Sequence, residues 1–375
     1  MEDGAMQEQA QRAAAVRGWC PTAWRPMMAG DGLLVRLRPL LGRMSRAQAE
    51  GLCAGALRHG NGHIDLTNRA ALQIRGVGAD EHDALMERLV ALGLARRNGD
   101  MPAPLIVNPD WAPGDATDRI ASELIARADE LPDMPGKIGF AVDAGPAPVL
   151  TDAPADFRIE RGMSGGLILR CDGRDRGVPV KVSEAVSEII AIAHWFMASG
   201  GASAGRMARH GAPLPITPSE APAPPRSRVN CLAAVPGRYH AAPFGRIEAE
   251  ALLTAMDDET RAIRLTPWRG LILEGSNAPS DDPADPRLSV DACPGAPACP
   301  QASVATRDLA ARLAPHVAGL HISGCAKGCA RPKQAAVVLT GRDGRFDLAR
   351  DARAGGQPER TDLSPTQILA LFGAE

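Results

Sequence analysis

The chain has 375 residues, of which 45% are apolar, and this is enough to bury the cores of two or three domain-sized units. A formal net charge of −2 and an aromatic content of 3% argue against a nucleic-acid partner, which needs a basic surface and stacking platforms. The segment from Met1 to Cys20 contains no apolar run of signal-peptide length, and no uncharged apolar stretch in the chain is long enough to span a membrane. We therefore expect a cytoplasmic protein with reduced thiols and no membrane partner.

The first predicted elements form a strand, a helix and a strand. Gly32-Leu-Leu-Val-Arg-Leu-Arg38 alternates apolar residues with arginine, and this period predicts a strand. A helical stretch follows from Ser45 to Leu57, and the alternation from Leu66 to Ile74 predicts a second strand.

The same order recurs in the second half of the chain. A run beginning Arg228-Val-Asn-Cys-Leu232 predicts a strand, Gly245 to Met256 predicts a helix, and Leu265 to Leu273 matches the strand at Leu66 to Ile74. The sequence therefore predicts a weak internal repeat.

A longer segment of mixed helices and strands follows each unit. Amphipathic or alternating patterns predict helices at Ala116–Leu131, Val182–Met197, Ala302–Leu313 and Pro365–Phe372, and strands at Lys137–Val142, Gly166–Cys171, Gly319–Ser323 and Ala335–Leu339. Between the halves, six prolines within Gly211 to Ser227 predict a stiff, extended linker.

Four cysteines in the second half form a C-x5-C…C-x3-C set, namely Cys293, Cys299, Cys325 and Cys329. Four thiolates on two short loops can hold one cubane iron–sulfur cluster, with one ligand for each iron. Structural zinc usually takes C-x2–4-C spacings, whereas C-x5-C leaves a loop that reaches round a larger cluster. The spacing thus favours a 4Fe-4S cluster, with zinc, disulfides or inert buried thiols as alternatives.

Together these features resemble the nitrite and sulfite reductase superfamily over nearly the whole chain. The cysteine spacing is similar to its 4Fe-4S pattern, and Thr67-Asn68-Arg69 with Gln73 resembles its first half-domain strand. The resemblance implies an α+β, pseudo-twofold fold in which two ferredoxin-like half-domains alternate with two larger α+β domains. The predicted units are a half-domain at 15–98, an α+β domain without cluster cysteines at 99–205, the linker at 206–227, a half-domain at 228–280 and the cluster domain at 281–375.

The resemblance also implies residue roles. In the sirohaem-containing members, the last cysteine of the set bridges to the sirohaem iron, and this position is Cys329 here. Cationic side chains face the bound anion, and these positions are Arg36 or Arg38, Arg69 and Lys137, of which the last two are implied as catalytic.

The sequence departs from the reductase pattern at several points. The second lysine expected over the anion is replaced by Gly139, and the usual Cys-Pro-x-Gly-Cys loop reads Cys325-Ala-Lys-Gly-Cys329. The chain is also compact for such a reductase. These departures favour another branch of the superfamily.

Three segments look like the precorrin-3B synthase family of aerobic cobalamin biosynthesis, namely Trp19 to Arg36, Gly60 to Arg69 and Gly324 to Pro332. This resemblance implies an O2-dependent monooxygenase that hydroxylates precorrin-3A at C-20 and closes a γ-lactone with the ring A acetate. It implies a 4Fe-4S cluster, a mononuclear non-haem iron and a tetrapyrrole substrate in the cavity that holds sirohaem in relatives. A sirohaem-dependent assimilatory sulfite or nitrite reductase is the alternative.

A tetrapyrrole fringed with acetates and propionates needs several fixed cations. The candidate substrate-binding residues are Arg36, Arg38, Arg69 and Arg75, with Lys137 beside them. A solvated strand face is the alternative for each one taken alone. In the matching strand of the second half, Arg269 accompanies Trp268, which stacks on the macrocycle or fills the core.

O2 chemistry on a closed-shell carbon needs a metal that supplies single electrons. His63, Asp65, His240 and His321 are candidate ligands for a second iron, and no spacing among them selects a triad. O2 and an external electron donor, either an NADH-linked reductase or a ferredoxin or flavodoxin, complete the expected partners.

Overall fold

The structure is a computed structural model that describes residues 20–97 and 103–374. Trp19, the predicted start at 15 and the predicted boundary between 98 and 99 lie outside these ranges. Within them the chain forms four sheets, two antiparallel and two mixed. No helix in the described ranges is long and apolar enough to cross a bilayer.

The two antiparallel sheets each take an outer strand from the other half of the chain. Sheet 1 has the spatial order Met27–Ala29, Gly32–Leu37, Leu72–Val77, His63–Leu66 and Arg246–Glu248. Sheet 2 has the spatial order Gly237–Ala241, Gly270–Glu274, Ala262–Leu265 and Arg43–Ser45. The exchange places Arg246 opposite Asp65, and Arg264 opposite Arg43.

One hydrophobic core lies beneath sheets 1 and 2. It runs from Val35 and Ile74 in the first half to Ile247 and Leu271 in the second, all of them buried. The two predicted half-domains therefore fold around a shared core, because each supplies an edge strand that the other sheet pairs.

The two mixed sheets repeat one plan, with three parallel strands followed by two antiparallel ones. Sheet 3 has the order Leu105–Val107, Phe140–Asp143, Phe157–Arg161, Leu167–Cys171 and Val178–Val180. Sheet 4 has the order Asp291–Ala292, Leu320–Ser323, Ala335–Arg342, Arg345–Ala352 and Arg360–Leu363. Each sheet has its own hydrophobic core. The shared strand plan of sheets 3 and 4 is the structural form of the repeat between the two halves of the chain.

Helices cover the sheets and begin where side chains cap them. Ser45 and Ser364 each form a capping box, with Gln48 and Gln367 respectively. The helices are Arg46–His59, His82–Ala91, Ala116–Ala126, Ala185–Ala198, Gly201–Ala204, Arg228–Ala233, Ala249–Ala255, Pro286–Ser289, Arg307–Leu313 and Pro365–Phe372. The last has the predicted bounds, whereas the predicted helix from Ala302 begins only at Arg307.

The two predicted strands that anchored the repeat are hairpins. Thr67 Oγ1 accepts hydrogen bonds from the backbone N–H groups of Arg69 and Ala71, at 3.3 and 3.2 Å, and this folds the chain into a tight turn. Thr266 forms the matching turn, where its Oγ1 accepts from Trp268 N at 3.2 Å and donates to Gly270 O at 2.8 Å. The single-strand prediction was wrong because this threonine turn interrupts the alternation.

The predicted strand at Arg228–Leu232 is also wrong, because Arg228–Ala233 is a helix. Ser227 Oγ accepts from Val229 N at 3.2 Å and caps its start. The strand of the repeat is Gly237–Ala241 instead. From Gly211 to Ser227 the preceding linker forms no helix or strand of its own, and it lies along sheet 3 through isolated bridges at Pro222 and Glu220.

Candidate functional site

The four cysteines lie at one edge of sheet 4. Strands Asp291–Ala292 and Leu320–Ser323 are parallel neighbours, so the loops that leave their carboxyl ends meet at the same edge. Cys293 directly follows the first strand, and Cys325 lies two residues beyond the second. The fold thus brings together two loops that are separated in sequence.

Backbone hydrogen bonds hold the two loops against each other. Gly324 N–H donates to Cys293 Sγ at 3.2 Å, and Ser303 N–H donates to Gly324 O at 3.0 Å. Thr306 Oγ1 donates to Cys293 O at 2.5 Å. Cys293 is therefore fixed from both loops and already accepts the kind of N–H···S bond that stabilises a ligand thiolate.

The thiols influence one another electrostatically. Burial raises the pKa of Cys329, Lys327 opposes this effect, and the thiols of Cys293, Cys325 and Cys299 raise the pKa further. Burial also raises the pKa of Cys325. Burial and the neighbouring thiols therefore disfavour the thiolate form of Cys329, and a bound metal group would remove this penalty because it coordinates the thiolate.

The cysteines are close together but are not spaced for one ion. Across residues 20–97 and 103–374, no three Cys, His, Asp or Glu side chains converge tightly enough to hold a single metal ion. The preference for an iron–sulfur cluster over zinc therefore rests on the C-x5-C spacing of the sequence.

Sheet 1 packs directly onto the first cysteine loop. Gly30 N–H donates to Ala298 O at 3.1 Å, and a Cβ at Gly30 would collide with Pro297 O, so glycine is required for this approach. Arg75 Nη2 also donates to Ala298 O, at 3.0 Å, while its guanidinium pairs with Asp31 at 2.7 Å. Arg75 therefore fixes the cysteine loop as well as facing the cavity described next.

A cavity of about 640 Å³ lies where sheet 1, the Thr266 turn and sheet 4 meet, within the range of about 300–1,000 Å³ that is usual for ligand pockets. Two of the four cysteines, Cys293 and Cys329, line it. Among the described residues, its charged lining consists of Arg36, Arg75, Arg228, Arg269 and Arg307 with Asp65, Asp152 and Asp291. The cavity therefore combines excess positive charge with access to the cysteine loops.

Arg36 is held in the cavity wall by a neutral side chain. Its Nε and Nη2 donate to Gln73 Oε1 at 3.1 and 2.5 Å, across neighbouring strands of sheet 1. Burial lowers the pKa of Arg36 to about 10, with Cys20 opposing that effect. Arg36 therefore stays cationic at neutral pH, and Gln73 orients it without neutralising its charge.

The Thr266 turn supplies another part of the wall. Trp268 is half-buried, and the Arg228 guanidinium lies 5.5 Å from its ring centroid. Arg269, beside it, pairs with Asp291 and donates to Leu288 O at 3.1 Å. Arg269 thus braces the segment that leads into Cys293, whereas Trp268 presents an aromatic surface at the cavity.

Three predicted cationic site residues do not line this cavity in the described structure: Arg38, Arg69 and Lys137. Arg69 Nη2 donates to Lys137 O at 3.1 Å, and the Lys137 side chain is exposed. Burial lowers the pKa of Arg69, and Arg206 and Arg38 lower it further. The structure therefore places Arg69 and Lys137 together beside sheet 3, and their catalytic roles stay predictions.

The candidate iron ligands are not brought to one point. His63 and Asp65 share a strand of sheet 1, whereas His240 pairs with Asp281 at 3.2 Å in sheet 2. His321 is fully buried in sheet 4, and neither ring nitrogen has a hydrogen-bond partner among the described residues. Asp65, the carboxylate of this set that lines the cavity, is instead surrounded by arginines.

Sequence reasoning missed two cationic lining residues, Arg228 and Arg307. Both lie at helix starts, and Arg307 Nη2 donates to Asp65 Oδ1 at 3.2 Å across 242 residues of sequence. The position of Arg307 just after the cysteine loop was the available signal. The sequence offered no such signal for Arg228, because its segment was predicted to be a strand.

The fold is of the nitrite and sulfite reductase type. The family model of the nitrite/sulfite reductase ferredoxin-like half domain matches residues 25–92. The structure of the Mycobacterium tuberculosis NirA protein matches with a TM-score of 0.61 and 18% identity, covering 90% of this chain and 78% of that one. At that identity the likeness concerns the fold.

A more specific relationship comes from sequence. A precorrin-3B synthase from Sinorhizobium sp is 30% identical over an alignment of 405 positions, which covers 92% of this chain and 85% of the relative. The chain therefore belongs to the precorrin-3B synthase family and is an enzyme. The predicted α+β fold and family resemblance are confirmed.

Proposed function

We propose that this enzyme is an O2-dependent monooxygenase of aerobic cobalamin biosynthesis, which converts precorrin-3A to precorrin-3B by C-20 hydroxylation and γ-lactone formation. The observation that carries the proposal is the composition of one cavity wall. Arginines from both halves of the chain line the same space as Cys293 and Cys329. A polycarboxylate tetrapyrrole in this cavity would meet fixed cations and the cysteine loops in the same space.

Charge and shape support a tetrapyrrole of this kind. Acetate and propionate groups form their strongest hydrogen bonds with guanidinium groups, and Arg36 is cationic and oriented by Gln73. Trp268 offers an aromatic face that suits a flat macrocycle. The buried Leu66 and the half-buried Phe244, which also line the cavity, would exclude water from part of the ring.

Cys293, Cys299, Cys325 and Cys329 would hold a 4Fe-4S cluster, since their C-x5-C…C-x3-C spacing suits one and the fold brings their two loops together. When bound, such a cluster supplies single electrons, which ground-state O2 requires for attack on a closed-shell carbon. Cys329 lines the cavity, so the cysteine loops that would hold the cluster border the proposed substrate site, and an external reductase, ferredoxin or flavodoxin would be the electron donor. We assign no ligands to the mononuclear non-haem iron.

The protein's own groups have positioning tasks in this reaction. Arg36 would orient a substrate carboxylate, Arg75 holds the first cysteine loop through Ala298 O, and Arg269 braces the segment before Cys293. Near-attack geometry contributes a large part of enzymatic rate enhancement. Rigid anchoring of the macrocycle beside Cys329 would supply that geometry.

Isotope labelling tests the reaction directly. In a monooxygenation, one atom of O2 enters the product as the hydroxyl, and the other leaves as water with two electrons and two protons from the donor. Reduced enzyme incubated with precorrin-3A under 18O2 should therefore give a product that carries one heavy oxygen by mass spectrometry. Label that enters from 18O-water instead, or product that forms without O2, would overturn the proposal.

A further inference from the structure

Arg307 is a cavity residue whose hydrogen-bonding capacity is mostly unused. It begins the helix Arg307–Leu313, directly after the cysteine loop, and its side chain is 12% exposed. Nη2 donates to Asp65 Oδ1 at 3.2 Å, but the buried Nε and Nη1 have no hydrogen-bond partner among the described residues. Buried charged donors are costly when unpaired, so these two nitrogens indicate a missing acceptor.

The surroundings of Arg307 cannot supply that acceptor. The Asp65 carboxylate also contacts two other arginines, because Arg246 Nε lies 3.6 Å and Arg75 Nε lies 3.8 Å from it. Arg75 is already paired with Asp31. Burial lowers the pKa of Arg246, and the charge of Arg307 lowers it further. Three guanidinium groups therefore share two carboxylates, and one positive charge is left over at the cavity.

Asp65 fixes the orientation of this excess charge. It lies on sheet 1, whereas Arg307 comes from the cluster domain, so the pair clamps the guanidinium between two elements. Arg36 is oriented separately, by Gln73 on sheet 1. The cavity thus presents two cations held on different elements, an arrangement that suits a ligand with carboxylates on different parts of its rim.

We infer that Arg307, oriented by Asp65, anchors a substrate carboxylate with its guanidinium group at the cavity. This inference rests on the proposed function, because the ligand is taken to be a carboxylate-fringed tetrapyrrole. It makes Arg307 a binding residue rather than only part of an ion pair between domains.

Anaerobic binding titrations separate these roles without turnover. Precorrin-3A and sirohydrochlorin, which carries a similar carboxylate fringe, are titrated into the cluster-loaded enzyme by absorbance. Arg307→Gln should weaken binding about tenfold to a hundredfold, the usual cost of one charge-assisted hydrogen bond. Its remaining affinity should depend less on ionic strength, because one attractive charge is gone. Arg307→Lys, which keeps the charge, should lie between Arg307→Gln and the wild type.

Arg312→Gln is the matched control, since Arg312 lies exposed on the same helix and does not line the cavity. It should bind both ligands with wild-type affinity. If Arg307→Gln binds the ligands with wild-type affinity and salt dependence, the inference is wrong. If Arg307→Gln does not fold, the same result in Arg307→Lys contradicts the inference instead. If the wild type binds sirohydrochlorin but not precorrin-3A, the proposed reaction is refuted. The comparison of Arg307→Gln with the wild type, made with sirohydrochlorin, then still tests whether Arg307 anchors a carboxylate. If the wild type binds neither, both are refuted.

Discussion

Arg43, from the first half of the chain, binds the carboxylate of Glu274, from the second, through Nε and Nη2 at 2.9 and 2.7 Å. Arg264 reaches the same carboxylate from the strand that pairs with Arg43. A half-buried acid thus joins the exchanged strand to sheet 2. Burial alone would raise the pKa of Glu274, but hydrogen bonds from Arg43 and Arg264 outweigh it and hold the pKa below its ordinary value.

This relationship predicts a pH-dependent stability contribution. A carboxylate with a lowered folded-state pKa stabilises the fold above its unfolded pKa, near 4.5 for glutamate, and the contribution is lost as pH falls through the folded value. Glu274→Gln should lower the free energy of unfolding at pH 7 by roughly 1–3 kcal/mol, and stability should fall less steeply below pH 4.5 than in the wild type.

Urea unfolding at several pH values measures both effects. Glu87→Gln is the control, since Glu87 is exposed on the helix His82–Ala91, and it should follow the wild-type curve. Asp110 and Asp281 also have lowered pKa values, so part of the acid slope remains in the variant. An unchanged slope in Glu274→Gln would show that this carboxylate does not link folding to protonation.

The four cysteines should each be required for the cluster. Each single Cys→Ser change at 293, 299, 325 or 329 should remove most of the bound iron and sulfide, because a cubane needs a ligand for each iron. Cys20→Ser serves as the control, since Cys20 lies outside the two loops. Chemical analysis of anaerobically purified variants decides the matter, and full iron and sulfide in any one of the four would remove that residue from the ligand set.

Local elements of this fold could be predicted because local chemistry defines them. The helix Pro365–Phe372 has Ser364 and Gln367 as a capping box and Gly373 in the left-handed region at its end. The exchanged strands Arg43–Ser45 and Arg246–Glu248 are only three residues long and pair with the other half. No local period identifies a strand that short, so the strand exchange required the structure.

The candidate site likewise combines residues that local sequence predicts with residues that only the tertiary structure reveals. The cysteine spacing indicates a cluster because four thiols define the ligand chemistry. Arg36 could be predicted from the family resemblance. Arg307 lies 242 residues from Asp65, and only tertiary structure places such a pair in one wall. Arg69, the strongest candidate by resemblance, instead donates to a backbone carbonyl beside sheet 3.

The structure and the resemblance therefore rank two arginines differently, and binding measurements can decide between them. Arg36→Met should weaken precorrin-3A binding by about 1.5–3 kcal/mol, because a cationic cavity residue is lost. Arg69→Met should cost less, since Arg69 does not line the described cavity. Equilibrium titration of both variants, with cluster content and melting temperature as controls, tests the order. A larger loss in Arg69→Met would restore the ranking by resemblance.

The colour of the purified enzyme tests the alternative sirohaem reductase. Reductases of that kind place two lysines over the bound anion, but Lys137 is exposed and does not line the described cavity, and the second position is Gly139. Gly139 N–H donates to Asp156 Oδ2 at 3.1 Å, and a Cβ there would lie 3.1 Å from Pro104 O, so a lysine at this position would be crowded.

We therefore expect anaerobically purified protein to be brown, with the broad absorption of an iron–sulfur cluster and without sirohaem bands. Iron, sulfide and zinc analysis should give iron and sulfide in equal amounts, apart from any mononuclear iron, and little zinc. Cys299→Ser should lose the brown absorption, which links the colour to the cysteine loops. Stoichiometric sirohaem would favour the reductase instead, and a colourless zinc protein would mean that the four thiols close on a single ion after all.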